Sequence, residues 1–300
     1  MQFELTKELL ADLRKWIGEG KDSAIHEFTK DLHPADVAEI INELPTQEGV
    51  YLYRILDEES AADVMLELDE DIQESLLSNL TSREIAEELI ENIDSDDAAD
   101  VLAGLSEEKQ EEVIALLEDE EQASDIMDLM TYAEGTAGAL MAVEMVTVKQ
   151  YWTVAQAIRE MRKQAEDIDN IYTIYVVDEE ERLLGTLSMK TLIFASASMR
   201  TTLKELYKES KVRTVNVDTP AEEVMRIMKK YDLVVLPVLD DEKKLVGRIT
   251  IDDVVDLMQE EANRDYQLAS GISEDVESSD SIWTLTRARL PWLLIGMIGG

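Results

Sequence analysis

The 300-residue sequence contains no cysteine and only two histidines, His26 and His33. Disulfides, thiolate-held zinc and thiol catalysis are therefore excluded. Two imidazoles are also too few for a multi-histidine metal centre, and a His-based triad is not expected. Basic residues are scarce: 28 Lys and Arg stand against 67 Asp and Glu, a formal net charge of −39. So negative a surface repels phosphate backbones, which argues against nucleic acid as a general partner. No Gly-rich loop leads into a Lys-Ser or Lys-Thr, and no nucleophile elbow occurs, so the chain reads as a non-enzyme. The start, Met1-Gln2-Phe3-Glu4-Leu5, lacks the basic and apolar regions of a signal peptide, and a cytosolic setting is expected.

What is present is a patterned core. Apolar residues make up 45% of the chain, too many for a disordered acidic tail, and the length suggests two or three domains. The charge is uneven. Residues 31–135 hold 33 acidic residues and three basic ones, Arg54, Arg83 and Lys109. Within this acidic third, Leu, Ile, Val and Met recur three and four apart, as at Val37, Ile40, Ile41 and Leu44, or Val101, Leu102 and Leu105. The spacing predicts short amphipathic helices of about 10 residues. Pro34, Thr46, Thr81, Asp94 and Ser106 read as helix starts, Thr81 and Ser106 in particular as N-caps. The steps Ala35-Asp-Val37, Ala62-Asp-Val64, Ala99-Asp-Val101 and Ser124-Asp-Ile126 echo one another, suggesting a superhelix of stacked hairpins. Most of the carboxylates are expected to be the solvated side of these helices, but self-repulsion on this scale calls for a screen, and divalent cations held by oxygen ligands are the obvious one.

Residues 140–261 change character, with strand-like apolar runs alternating with helices. Two stretches match. Thr153–Ile158, Ile171–Asp178 and Arg182–Ser188 correspond to Thr219–Val224, Leu233–Asp240 and Lys244–Thr250. Asp178 and Asp240 lie 62 residues apart, as do Gly185 and Gly247. The strand Leu236-Pro-Val-Leu-Asp240, the strand Leu245-Val-Gly-Arg-Ile-Thr250 and the following Asp252-Asp253 resemble a tandem pair of CBS domains, regulatory binding modules rather than catalysts. The resemblance implies a possible adenine-nucleotide (ATP) site in which Gly247, Thr250 and Asp253 match the family signature. The first copy departs from it, with Ser188 but Thr191 where Asp is expected. Thr250 and Asp253 could equally cap the helix that follows.

Beyond Asp256 the sequence reads as a polar helix to Leu268, a small-polar stretch, then Arg287 and Arg289 flanked by Trp283 and Trp292. The last eleven residues, 290–300, carry no charge. They are too few to span a bilayer and look like the start of a first transmembrane helix entered from the cytoplasm.

The order of parts resembles the cytosolic region of an MgtE-type magnesium transporter or channel. Its telling local pieces are Glu134-Gly-Thr-Ala-Gly-Ala-Leu-Met141, Ile171-Tyr-Thr-Ile-Tyr-Val-Val-Asp178 and Ile251-Asp-Asp-Val-Val-Asp-Leu-Met-Gln-Glu-Glu-Ala262. The expected fold is multidomain: an N-terminal helical extension (1–30) that reads as one extra helix, an acidic all-α superhelical N domain (31–135), an α/β CBS pair (136–200 and 201–261), a long connecting or plug helix (262–289) and the membrane entry (290–300). The resemblance implies a homodimer formed through the CBS domains, a membrane partner in the missing transmembrane part, and regulation by Mg²⁺. It places sensor carboxylates at Asp96 and Asp100 in the helical domain, at Glu222, Asp232, Asp253 and Asp256 on the CBS side, and at Glu261 and Asp265 on the connecting helix. Arg264 stands where the family can carry an acid, which weakens a plug-helix site. Two functions remain in view: a Mg²⁺-sensing gate, and a nucleotide-sensing CBS regulator of another partner.

Overall fold

The structure, a computed structural model, describes residues 3–269 except 166, 167, 169, 196–198 and 208–211, and describes no side chain at 58, 59, 260, 261 or 263–269. Residues 7–129 are helical apart from the turns between helices. They comprise α1 (Lys7–Gly18), α2 (Asp22–Thr29), α3 (Pro34–Asn42), α4 (Thr46–Tyr53), α5 (Glu58–Leu66), α6 (Glu70–Asn79), α7 (Ser82–Glu84), α8 (Ser95–Ala103), α9 (Glu107–Ile114) and α10 (Glu120–Leu129). The expected single extra helix at residues 1–30 is two helices. The chain reverses at Gly20, whose φ of +64° is left-handed, and Trp16 of α1 then meets Phe28 of α2 edge-on at 6.1 Å.

Local chemistry sets the helix ends. Thr81 and Glu84 form a reciprocal capping box. His33 caps α3 by accepting the Ala35 N–H, with Pro34 in the first turn. Ser106 occupies the cap position of α9, but its side chain makes no cap bond, contrary to its reading as a capping side chain. After α7 the backbone widens into a π-turn at Ile85–Leu89 and tightens into a 3₁₀ turn at Ile90–Asn92. The four echoed steps fall on α3, α5, α8 and α10, which pack as pairs, α3 on α5 and α8 on α10. Val37, Val64, Val101 and Ile126 are all buried there. The echo therefore reports the hairpin stacking directly.

The second half holds two copies of one unit. The first has β1 (Val146–Lys149), α11 (Val154–Gln164), β2 (Ile174–Val177), β3 (Leu183–Leu187) and α12 (Met189–Ala195). The second has β4 (Val215–Asn216), α13 (Ala221–Tyr231), β5 (Val235–Leu239), β6 (Leu245–Thr250) and α14 (Ile251–Ala269). Each forms a three-stranded sheet in which the first pair is parallel and the second antiparallel. Both antiparallel pairs carry a register shift at the matching place, Val176/Val177 and Val238/Leu239. The copies meet where Tyr175, Val177 and Leu245 pack together and Leu245 donates its N–H to the Glu181 carbonyl.

The acidic domain and the second copy share one apolar core, running from Val101 and Leu102 through Ala137 and Met141 to Leu236, Ile249 and Val254. The connecting segment sews them together: Ala137 and Gly138 donate to the carbonyls of Thr219 and Val217 at 2.8 Å, and Ala142 pairs with Arg248. Residues 136–142, counted from the sequence with the first copy, thus bond to the second. Among the described residues no helix is long and apolar enough to cross a membrane. The helix predicted from 262 runs on from the second copy without a break and is described to Ala269. The rest of it, and the expected membrane entry at 290–300, lie outside the described residues.

Candidate cation site at the domain junction

Two helix N-termini lie at the seam between the acidic domain and the second copy. α8 begins after Asp94, with Asp96 and Asp97 in its first turn. α14 begins directly after β6, with Asp252 and Asp253 in its first turn. Acids favour this position because each helix end carries partial positive charge. Here both ends open onto one cleft of about 170 Å³, lined by Asp63, Asn92, Asp94, Asp96, Asp97, Asn170, Tyr172, Arg248, Thr250, Asp252 and Asp253 among others.

The charges in this cleft oppose one another. The Asp96 carboxyl is held well above the usual carboxylate range, first by burial and then by the charges of Asp253, Asp97 and Asp94. The Asp97 carboxyl is pushed up to about 7, by burial and then by Asp253, Asp94 and Asp100. Burial also raises Asp253, against the downward pull of two hydrogen bonds from Thr250 and of Arg248. Those bonds run to Asp253 Oδ2 from the Thr250 N–H at 2.8 Å and from its hydroxyl at 2.7 Å. One turn on, Asp256 is raised by burial and by Asp252.

Cross-domain hydrogen bonds frame the cleft. Buried Ser95 donates its N–H and hydroxyl to the two carboxylate oxygens of Glu144, and the Val143 N–H donates to Ser95 Oγ. Arg248 Nη2 reaches Asp94 Oδ2 at 2.8 Å.

The predicted sensor residues divide accordingly. Asp96 and Asp253 come together across the cleft. Asp100 is exposed one turn along α8, and Asp256 is exposed on α14. Glu222 and Asp232 are exposed at opposite ends of α13, outside the cleft lining, Asp232 at the left-handed residue that ends the helix. The side chains of Glu261 and Asp265 lie outside the described residues. Of the nucleotide set, Gly247 has a packing reason to be glycine: a Cβ there would stand 2.7 Å from Met141 Sδ and 2.8 Å from the Ala142 carbonyl oxygen. Thr250 and Asp253 form a helix cap, as Ser188 and Thr191 do in the first copy. The reading from sequence missed Asp63, Asp97, Asp252, Asn92, Tyr172 and Arg248. Asp94-Ser-Asp-Asp97 had signalled a helix start, but nothing in it signalled what that start would face.

Residues 32–135 match the family of the MgtE intracellular N domain, and residues 137–198 and 203–260 match the CBS domain family. A solved structure of the cytosolic domain of the Mg²⁺ channel MgtE in complex with ATP is 36% identical, with a TM-score of 0.74, covering 83% of this chain and 99% of that one. The chain belongs to the MgtE family. The magnesium transporter MgtE of Thermus thermophilus is 35% identical across 99% of this chain, and that of Bacillus subtilis 28% across 98%. The chain spans 66% and 65% of these MgtE relatives' own lengths. A second solved structure, the soluble part of a magnesium transporter, is 28% identical with a TM-score of 0.73, covering 85% of this chain and 99% of that one. These relatives are transporters, not enzymes. The helical domain and the tandem CBS pair are the architecture of the MgtE cytosolic domain.

The donors at the junction suit a hard cation. All are oxygens, and the raised carboxyls of Asp96, Asp97 and Asp253 record burial and mutual repulsion, both of which a dication offsets. Among the described residues no three acidic or histidine side chains form a cluster able to hold a metal ion.

Proposed function

We propose that this chain is the cytosolic Mg²⁺-sensing gate region of a magnesium transporter or channel. In this reading it lies on the cytoplasmic face of the membrane, and Mg²⁺ favours the closed junction. The observation that carries the proposal is the cleft in which Asp96 and Asp97 of the MgtE N domain face Asp253 of the second CBS domain, with raised carboxyls on both sides. Asp96 and Asp253 would hold a partly hydrated Mg²⁺, which would supply positive charge to the cleft. The protein's own residues do the rest. Asp97 and Asp252 add to the field that drives the domains apart at low Mg²⁺, Thr250 fixes the Asp253 rotamer, and the Ser95–Glu144 bonds set where the domains meet. Asp232 and Asp256, on packed helices α13 and α14, and the exposed Asp100 and Glu222 are proposed for further, weaker sites, with Glu261 and Asp265 on the connecting helix.

The same proposal includes a homodimer through the CBS domains. Phe194 of α12 and Val255 and Met258 of α14 are exposed apolar side chains on the helices that close the two copies, Phe194 being 73% exposed.

The test is proteolysis after Glu134, in the exposed turn that precedes the connecting segment. A glutamate-specific protease should cut there faster in EDTA than in about 10 mM Mg²⁺, the millimolar range of weak carboxylate sites. Equal rates in the two conditions, with a control peptide also unaffected, would count against the gate.

A second reading, an adenine nucleotide on the CBS pair, has its own observation. The Tyr175 hydroxyl is buried, with no partner among the described residues, beside a small pocket flanked by exposed Tyr172 and by Asn170 and Arg248. A buried hydroxyl with nothing to bond is a ready donor, and an exposed aromatic face suits a base. The relative crystallised with ATP supports it. Calorimetry with ATP, ADP and AMP on the native chain and on Tyr172→Ala tests this reading: binding that survives the substitution counts against it.

A further inference from the structure

Among the residues lining the junction cleft, Arg248 is the one that carries permanent positive charge. It is also buried, with only 7% of its side chain exposed. A buried guanidinium is costly unless its donors and charge are matched. Here they are matched from the opposite domain and from the connecting segment. Nη2 pairs with Asp94 Oδ2 at 2.8 Å, Nε donates to the Glu144 carbonyl, and the Tyr172 ring lies 5.8 Å from the guanidinium carbon. The backbone of Arg248 is fixed too, donating to and accepting from Ala142 at 2.8 and 2.9 Å. Asp94 is the residue from which α8, with Asp96 and Asp97, departs. The guanidinium thus stands inside the acidic cleft and bonds across the seam that Mg²⁺ closes in the reading above.

We propose that Arg248 is a resident counter-cation that sets the Mg²⁺ threshold of the junction, by neutralising Asp94 across the domain seam. The proposal rests on the gate reading and adds to it a specific residue with a specific effect. The side chain does part of the work of a bound dication, and does it at every Mg²⁺ concentration. Without it, the charge of Asp94 adds to those of Asp96, Asp97, Asp252 and Asp253 in the cleft, and more Mg²⁺ is needed to close the seam. With it, closure needs less. Arg248 is a positioning residue here and is not a ligand.

The absence of native cysteine makes the test direct. Dyes are placed at Met127→Cys in α10 and Glu242→Cys in the β5–β6 turn, and energy transfer is followed through a Mg²⁺ titration at constant ionic strength. The native chain, Arg248→Gln, Arg248→Lys and the double variant Arg248→Gln/Asp94→Asn are compared. The expected result is a Mg²⁺ midpoint raised about threefold or more in Arg248→Gln, because the variant must draw from bound metal the differential stabilisation that the guanidinium supplied. Arg248→Lys, which keeps the charge but loses the fork of donors, should rise less. The double variant, in which neither charge remains, should return toward the native midpoint. Far-ultraviolet dichroism at saturating Mg²⁺ reports folding, and if Arg248→Gln fails to fold, the Lys variant carries the comparison. An unchanged midpoint in the folded single variants overturns the proposal. So does a midpoint raised equally in the single and double variants, since that marks Arg248 as packing alone. A native chain that does not respond to Mg²⁺ overturns the gate reading and the threshold with it, whereas a responsive native chain with unmoved variants overturns only the role of Arg248.

Discussion

Replacing Asp97 by Asn should close the junction without metal. In the closed arrangement the Asp97 carboxyl sits at about 7 against an ordinary 3.8. A carboxyl raised in the closed state binds more protons closed than open, so closure strengthens as pH falls through 7 and weakens above it. At pH 8 the charged Asp97 costs the closed state about 4 kcal/mol relative to an exposed carboxylate, and lowering the pH to 6 recovers about 1 kcal/mol of that. The Asn side chain keeps the shape and removes the charge. Even about 2 kcal/mol of this shifts the closed-to-open ratio some 30-fold. The assay is small-angle scattering in EDTA at pH 8 and pH 6. The native chain should be more extended at pH 8 than at pH 6. Asp97→Asn should be more compact in EDTA than the native chain, with a smaller pH dependence, the remainder coming from Asp96 and Asp253. If Asp97→Asn in EDTA stays as extended as the native chain, or keeps its full pH dependence, the electrostatic argument is wrong.

Other substitutions test separate parts of the account. Gly247→Ala should destabilise the protein by about 1–3 kcal/mol in thermal unfolding, because the added methyl meets the Ala142 carbonyl and Met141 at under 3 Å. Tyr175→Phe should raise stability or leave it unchanged, within about 1 kcal/mol, since the hydroxyl it removes has no partner among the described residues; weaker ATP binding in the same variant would place that hydroxyl in the nucleotide site. Phe194→Asp should turn a dimer into a monomer in sedimentation equilibrium, whereas a chain already monomeric would remove the CBS dimer from the account.

Much of the fold was legible in the sequence because it rests on local periodicity. The three- and four-residue spacing of Val37, Ile40 and Ile41 and the capping pair Thr81 and Glu84 act within one or two turns. The offset of 62 residues between Gly185 and Gly247 survives as matching strands with matching register shifts. The N-terminal split was missed because a glycine's left-handed turn at Gly20 looks, in sequence, like any exposed glycine in a polar helix. The site was half legible. The Asp94–Asp97 and Asp252–Asp253 runs were readable as helix starts, but the bond from Arg248 to Asp94 spans 154 residues, and no periodic pattern encodes such a meeting. Gly247 shows the reverse case. Its place in a nucleotide signature was visible, while its close contact with Met141 and Ala142 came from the connecting segment folding onto the second copy.

The central claim is that Mg²⁺ closes the junction between the acidic domain and the CBS pair. The most direct measurement is a Mg²⁺ titration of the native chain followed by small-angle scattering, with NaCl or KCl holding ionic strength constant. The account predicts a saturable fall in radius of gyration as Mg²⁺ reaches the millimolar range, and no such fall with the monovalent salt alone. Profiles that overlay at every Mg²⁺ concentration, or that contract equally with monovalent salt, would contradict it.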